Sequence, residues 1–291
     1  MTRFEAFVAR KTAEAHAAHI PPLTTEFDRG GDELTAIGND WSRQLFDGPF
    51  YLSPLRDNGR PSTNLVFVRS REGNTVANNP STLGGGEADK HLIYEGLSRV
   101  AADAVLGGAA TIRGGDLVLS IWRRELVELR ASLGLPRHPI QVVATLHRAP
   151  IEDGLMFNVP ELPVIVITVA RGAEAMGHAL GERPWIAPIV MDSPDDLPFA
   201  FRRLRERGIN RLSCIGGRTL AEQVVDAGLI QDVYLTTTAT SGGEADTPFY
   251  SKPLAGDARV KAPRDVREVV RKNGTGPDTG VVFEHLTLRS G

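Results

Sequence analysis

One cysteine, Cys214, stands in the whole chain of 291 residues, so the molecule can build neither a disulfide framework nor a thiolate zinc site of its own. A reducing compartment suits such a chain, and we expect a cytoplasmic protein. Long apolar runs are missing as well. The start, Met1-Thr-Arg-Phe-Glu-Ala-Phe-Val, carries charge where a signal peptide needs an apolar block, and no stretch approaches a membrane span. Excess charge is also absent. A formal charge of −3 and a pI near 6.2 remove the electrostatic reason to expect nucleic acid or an anionic membrane as partner. That leaves a small molecule as the expected ligand.

Three common catalytic signatures are lacking: Gly-x-x-x-x-Gly-Lys-Ser/Thr, Gly-x-Ser-x-Gly and His-Glu-x-x-His. His16 and His19 share a helix side, but no third ligand lies near them in the sequence, and we expect no metal.

What is present is an ordinary globular composition, 41% hydrophobic and 24% charged, long enough for one large core. From Asn64 onward short β-rich runs alternate with helical patterns, as in an α/β sheet covered by helices. The expected strands are Asn64–Arg69, Asp103–Leu106, Ile140–Thr145, Pro163–Val169, Ile186–Met191, Arg211–Ile215, Val233–Thr240 and Val281–Arg289. The last follows the turn-rich 273–280 and reads as part of an antiparallel terminal hairpin. Helical spacing appears over Asp89–Ala101, over Arg124–Leu133, and from Ser193 to Gly208, where Ser193-Pro194-Asp195-Asp196 carries a cap signal. Residues 1–60 read as an N-terminal extension, a helical segment at Phe4–Ala18 plus an irregular arm. Residues 61–291 read as the domain.

The segment from Asn210 to Leu220 runs an apolar strand into Gly216-Gly217 and then opens a helix. Glycines at that point admit a ligand close to the backbone, and the helix start offers unpaired N–H groups and partial positive charge to an anion. A plain strand-to-helix turn would use the same residues.

Three segments in order resemble the reductase domain of riboflavin biosynthesis, which shares the fold of dihydrofolate reductase. Val68 to Ala77 is similar to the family's strand followed by Ser-x-Asp-Gly-x-x-Ala, with Glu72 where the family has aspartate. Ala102 to Arg113 is similar to its Asp-Ala-x-x-x-Gly-x-x-Thr-x-Arg turn. Leu204 to Asp232 is similar to its helix, strand, glycine pair and helix. The resemblance runs from about Arg60 to the C-terminus. It implies an α/β fold, a dihydrofolate-reductase-like, mostly parallel central sheet covered by helices with an antiparallel C-terminal hairpin. It also implies a homodimer and an NADPH-dependent reduction of a ribosylaminopyrimidine phosphate, ribosyl to ribityl.

On that resemblance, Gly216, Gly217, Arg218 and Thr219 are expected at the cofactor diphosphate, Gly107, Gly108 and Thr111 under the nicotinamide half, and Thr168 and Arg171 at the adenosine side. Glu72 and Asp89 are the catalytic candidates, each a carboxylate able to orient a ring or work as acid or base. Ser70, Ser81, Arg113, Arg130 and Glu244 are the substrate candidates, the arginines because their forks match a sugar phosphate. The family's zinc deaminase motifs, His-x-Glu and Pro-Cys-x-x-Cys, are absent, so a stand-alone reductase is the sharper reading. Three alternatives stay open: a reductase of the same fold acting on a pterin or other heterocycle, a non-catalytic NADPH-binding regulator, and an interaction module docking through Phe4–Ala18.

Overall fold

The computed structural model describes residues 1–31, 33–76, 80–112, 116–251 and 265–289, without the side chains of 80, 81, 265 and 289. The chain begins with α1 (Arg3–Ala17), set by a capping box: the Thr2 hydroxyl accepts from the Glu5 amide and the Glu5 carboxylate accepts from the Thr2 amide. Next come β1 (Thr24–Asp28), β2 (Thr35–Ile37), α2 (Asp40–Phe46) and β3 (Phe50–Leu52). These elements correct the expectation of an irregular arm. The strands are short and β1 alternates between exposed and half-buried residues, so no apolar pattern advertises it.

β4 (Ser62–Arg69) opens the parallel part. A single turn, α3 (Gly86–Ala88), then continues as a π-helix over Asp89–Leu97, where an ordinary α-helix was expected; Ser98 donates to the Ile93 carbonyl five residues back. β5 (Ala104–Gly108), α4 (Arg124–Ser132), β6 (Ile140–Ala144) and β7 (Val164–Val169) follow, then two short helices not foreseen, α5 (Ala170–Ala175) and α6 (Gly177–Gly181). The chain continues through β8 (Ile186–Met191), α7 (Leu197–Glu206), β9 (Arg211–Cys214), α8 (Arg218–Asp226) and β10 (Asp232–Thr237). It closes with the hairpin of β11 (Asp265–Asn273) and β12 (Val282–Arg289).

Among the described residues one sheet runs β1-β11-β12-β10-β4-β9-β5-β6-β7-β8. The pairs from β10 to β8 are parallel and those from β1 to β10 antiparallel. This is the architecture expected from the sequence. Because β10 and β4 are parallel neighbours, and β9 and β5 follow, all four deliver their C-terminal ends to the same edge. Ligands sit at that edge in open α/β sheets.

Apolar side chains fill both faces. On one, Leu92, Leu97, Leu126 and Val105 pack together with Phe7, Phe46 and Phe50. On the other, Phe201, Leu204, Leu220 and Val224 cover Leu106, Ile167 and Leu212. Residues 1–60 contribute side chains to the core: Phe7 is 2% exposed and meets the Trp122 ring edge-on at 5.5 Å. β1 also pairs with β11 and closes the antiparallel side of the sheet.

Candidate active site

Two glycine pairs lie side by side where β5 and β9 end. The Gly108 amide donates to the Gly216 carbonyl at 2.9 Å, and the Gly217 amide donates to the Thr111 hydroxyl at 3.2 Å. Gly216 has φ +78°, and a Cβ there would stand 2.5 Å from the Phe67 ring, so only glycine fits. A cleft of about 460 Å³ opens beside these turns, with Phe67, Ile167 and Ile215 among its apolar walls and Gly108, Thr111 and Gly217 at its glycine-rich side.

The first turn of α8 faces this cleft. Intrahelical bonding starts with the Ala221 amide on the Gly217 carbonyl, and Gly217 carries no side chain to cap the helix. The amides of Arg218, Thr219 and Leu220 are the donors a helix start leaves without intrahelical partners, and all three residues line the cleft. The Arg218 guanidinium pairs with Glu244 at 3.2 Å, both side chains more than a third exposed. The two residues expected at cofactor and substrate thus meet each other.

Several other expectations are corrected. Gly107 is buried against Ile215, and Gly108 alone of that pair lines the cleft. Thr168 is buried too, with its hydroxyl where a Cβ on Gly172 would lie. Its strand neighbour Ile167 faces the cleft instead, because successive residues of β7 point to opposite faces. Arg171 is exposed on α5 and does not line the cleft.

Arg130 is 1% exposed and donates to the carbonyls of Arg99, Val100, Ala102 and Pro136, which makes it a buried clamp between α4 and the chain entering β5. Desolvation lowers its pKa to about 10. Ser70 is buried and closes the 70–74 turn, its carbonyl accepting from Gly73 and its hydroxyl from the Asn74 amide. Arg113 and the side chain of Ser81 lie outside the described residues.

The two carboxylate candidates part company. Glu72 is exposed, accepts hydrogen bonds from Ser241 and from the Gly242 amide, and is held down to about 2 by them. It ties the turn after β4 to the turn after β10 and has no proton to exchange near neutrality. Asp89, at the start of the π-helix, is partly buried and accepts from the Thr236 hydroxyl. Burial pushes its carboxyl up to about 6, the Thr236 bond opposes that, and the charge of Asp278 adds to it. A carboxyl raised to about 6 at the ligand edge of the sheet is placed to change protonation near neutral pH.

Thr145 and His147 after β6, which line the cleft, and Thr236 and Asp278 around Asp89 were not foreseen as site residues. The run Thr236-Thr-Thr-Ala-Thr240 was the available signal: hydroxyls alternating at a strand end.

The family described as RibD C-terminal domain matches residues 75–263. No curated protein sequence matches the chain. Among solved structures the chain is similar to a pyrimidine reductase-like protein from Corynebacterium diphtheriae, at 21% identity over 79% of this chain and 93% of that one, with a TM-score of 0.60. It is also similar to RibD from Acinetobacter baumannii, at 16% identity, 80% and 59% coverage and a TM-score of 0.57. A third likeness is to a diaminohydroxyphosphoribosylaminopyrimidine deaminase/5-amino-6-(5-phosphoribosylamino)uracil reductase from Thermotoga maritima, at 20% identity, 79% and 57% coverage and a TM-score of 0.53. The chain spans 59% and 57% of the length of those last two proteins. At these identities the structural likeness speaks for the fold.

Proposed function

The chain belongs to the RibD C-terminal domain family, and from that membership we propose that it is an NADPH-dependent reductase of a ribosylaminopyrimidine phosphate, turning the ribosyl group into a ribityl chain. Membership makes it an oxidoreductase of the pyrimidine-reductase kind. The cofactor, the substrate and the residue roles that follow are our reading.

The observation that carries it is the start of α8. Three residues whose amides lack intrahelical partners, beside a glycine that admits no side chain, line a cleft at the C-terminal ends of parallel strands. This donor set fits a dinucleotide diphosphate. Gly217, Arg218 and Thr219 would hold it, with Arg218 exchanging its Glu244 partner for phosphate oxygens. Gly108 and Thr111 would border the nicotinamide, which supplies hydride when bound.

What the chain itself contributes is position and exclusion of water. Phe67, Ile167 and Ile215 make the cleft wall apolar, and dry surroundings strengthen every charge interaction within. Asp89, fixed by Thr236, would accept hydrogen bonds from ring N–H groups and so orient the heterocycle. Glu72 would serve the site at one remove, by holding the Ser241–Gly242 turn.

The same carboxylate suits the edge of a pterin, which is the second reading: a reductase of this fold acting on another heterocycle. We further take the protein to work in the cytoplasm as a homodimer on a small molecule. No helix among the described residues is long and apolar enough to cross a membrane, and light scattering tests the dimer. The functional test is NADPH oxidation with the ribosylaminopyrimidine phosphate; binding without oxidation by any heterocycle would favour a regulator that has kept only the cleft.

A further inference from the structure

Beside Asp89 lie polar atoms that the reading above leaves unused. Thr236 and Thr238 are two residues apart on the chain leaving β10, and the ladder with β4 continues through the Thr238 amide on the Arg69 carbonyl, so both point to the same face. The Thr236 hydroxyl is taken by Asp89. The Thr238 hydroxyl is 1% exposed and has no hydrogen-bond partner.

Asp278, in the 3-10 turn between β11 and β12, is 9% exposed, and its Oδ2 is likewise buried without a partner. Its carboxylate accepts from the Ala88 amide, in the turn that leads to Asp89. A Cβ on Gly86 would lie 2.1 Å from its Oδ1, and its charge acts on the Asp89 carboxyl. A buried acceptor and a buried hydroxyl left open cost free energy unless a ligand completes them.

We propose that Asp278 is a specificity-determining residue: with Asp89 and Thr238 it seats the heterocycle edge of the substrate and selects a ring with an exocyclic amine beside a ring N–H over one with a carbonyl there. The inference rests on the reductase reading given above. An amine and a ring N–H donate to two carboxylates, whereas a carbonyl at that place sets acceptor against acceptor. Asp278 comes from a hairpin turn far along the chain, outside the span that matches the family.

Among the described residues the charged groups around Asp89 are few. Asp278 faces it from the hairpin turn and Glu87 faces Asp278 from the helix side, with Lys90 at 3.4 Å and His91 at 3.1 Å on Glu87; Thr236 is neutral. Removing the Asp278 charge therefore lets Asp89 ionise at lower pH.

The test uses the full chain and two ring probes that differ at one place, isocytosine with an amine and uracil with a carbonyl. Affinities are titrated by ligand-observed NMR from pH 5 to 8, with and without NADPH, whose own affinity is measured in the same samples. Isocytosine is expected to bind at least about tenfold more tightly than uracil, the discrimination reached when a site would otherwise leave buried polar groups unpaired. Asp278→Asn presents an amide donor, so the ratio moves toward uracil and the acid limb of isocytosine binding shifts to lower pH, with NADPH affinity unchanged. Thr238→Val weakens isocytosine from the other side. Uracil binding as tightly as isocytosine, neither ring binding, or an unchanged ratio and acid limb in Asp278→Asn would overturn the proposal. Failure of the wild type to bind NADPH would instead overturn the cofactor reading.

Discussion

The amide of Gly108 reaches the carbonyl of Gly216 at 2.9 Å, and with the Ile215 amide on the Leu106 carbonyl this bond continues the pairing of β5 with β9 past the last regular residue of β9. It fixes the two glycine turns at a single spacing. Gly216 then has no room for a Cβ against Phe67, and the chain turns into α8, whose first residues line the cleft.

Gly217→Asp places a carboxylate at the α8 start. Aspartate is a favoured helix cap, so it would occupy the amides assigned to the diphosphate and set like charge beside it. NADPH affinity is expected to fall at least about tenfold, or 1.4 kcal/mol. Circular dichroism should report a folded protein; unchanged affinity in a fluorescence titration would refute the placement.

Asp89→Asn is expected to lower turnover by about 10²-fold or more while leaving NADPH affinity as it is. In the wild type kcat/KM should fall on the acid side with a midpoint near the Asp89 value of about 6, because the ionised form accepts the ring donors. The stability effect has its own sign. The folded pKa is raised from 3.8, so this group's favourable contribution is fully present below about 4 and lost as pH rises through about 6. The variant should therefore melt higher than wild type at pH 8, by up to about 3 kcal/mol in stability. A lower melting temperature at pH 8 would contradict the burial of that charge.

His138 works in the opposite direction. Burial, with the charges of Arg137 and Arg130, holds it down to about 4, and its Nδ1 lies 2.7 Å from the Ser120 hydroxyl. Its stabilising contribution is present above the ordinary 6.5 and is lost as pH falls toward 4. His138→Gln should flatten the loss of stability between pH 6.5 and 4 in denaturant titrations; an unaltered acid slope would refute it.

Arg130→Met tests whether that side chain serves the substrate or the fold. Removing it strands the carbonyls of Arg99, Val100, Ala102 and Pro136 in the interior. A loss of about 3–5 kcal/mol in urea unfolding is expected, as for breaking a buried charged network. A change confined to KM would restore a phosphate-binding role.

The same residue shows where the sequence stops being legible. On the α4 pattern Arg130 reads as a surface fork; its burial depends on carbonyls that the fold brings from the chain entering β5. Thr168 fails for a different reason: every residue of β7 is buried, so its apolar run does not say which face meets the cleft. β1 is a polar, half-exposed strand without an apolar pattern, and it forms because β11, itself paired with β12, offers it a ladder. The glycine pairs were legible because a local steric demand, strand to tight turn to helix, is written in adjacent residues. Asp278 was not, since nothing local in its hairpin turn points to Asp89.

The central claim is that the Gly216–Gly217 cleft carries NADPH to a heterocycle seated at Asp89. Its most direct test is to titrate the purified protein with NADPH by nicotinamide fluorescence, add the ribosylaminopyrimidine phosphate, and follow the reduced-cofactor absorbance. The account predicts saturable binding and substrate-dependent oxidation that Gly217→Asp weakens at the binding step and Asp89→Asn at turnover. No binding of NADPH, or oxidation indifferent to both substitutions, would contradict it.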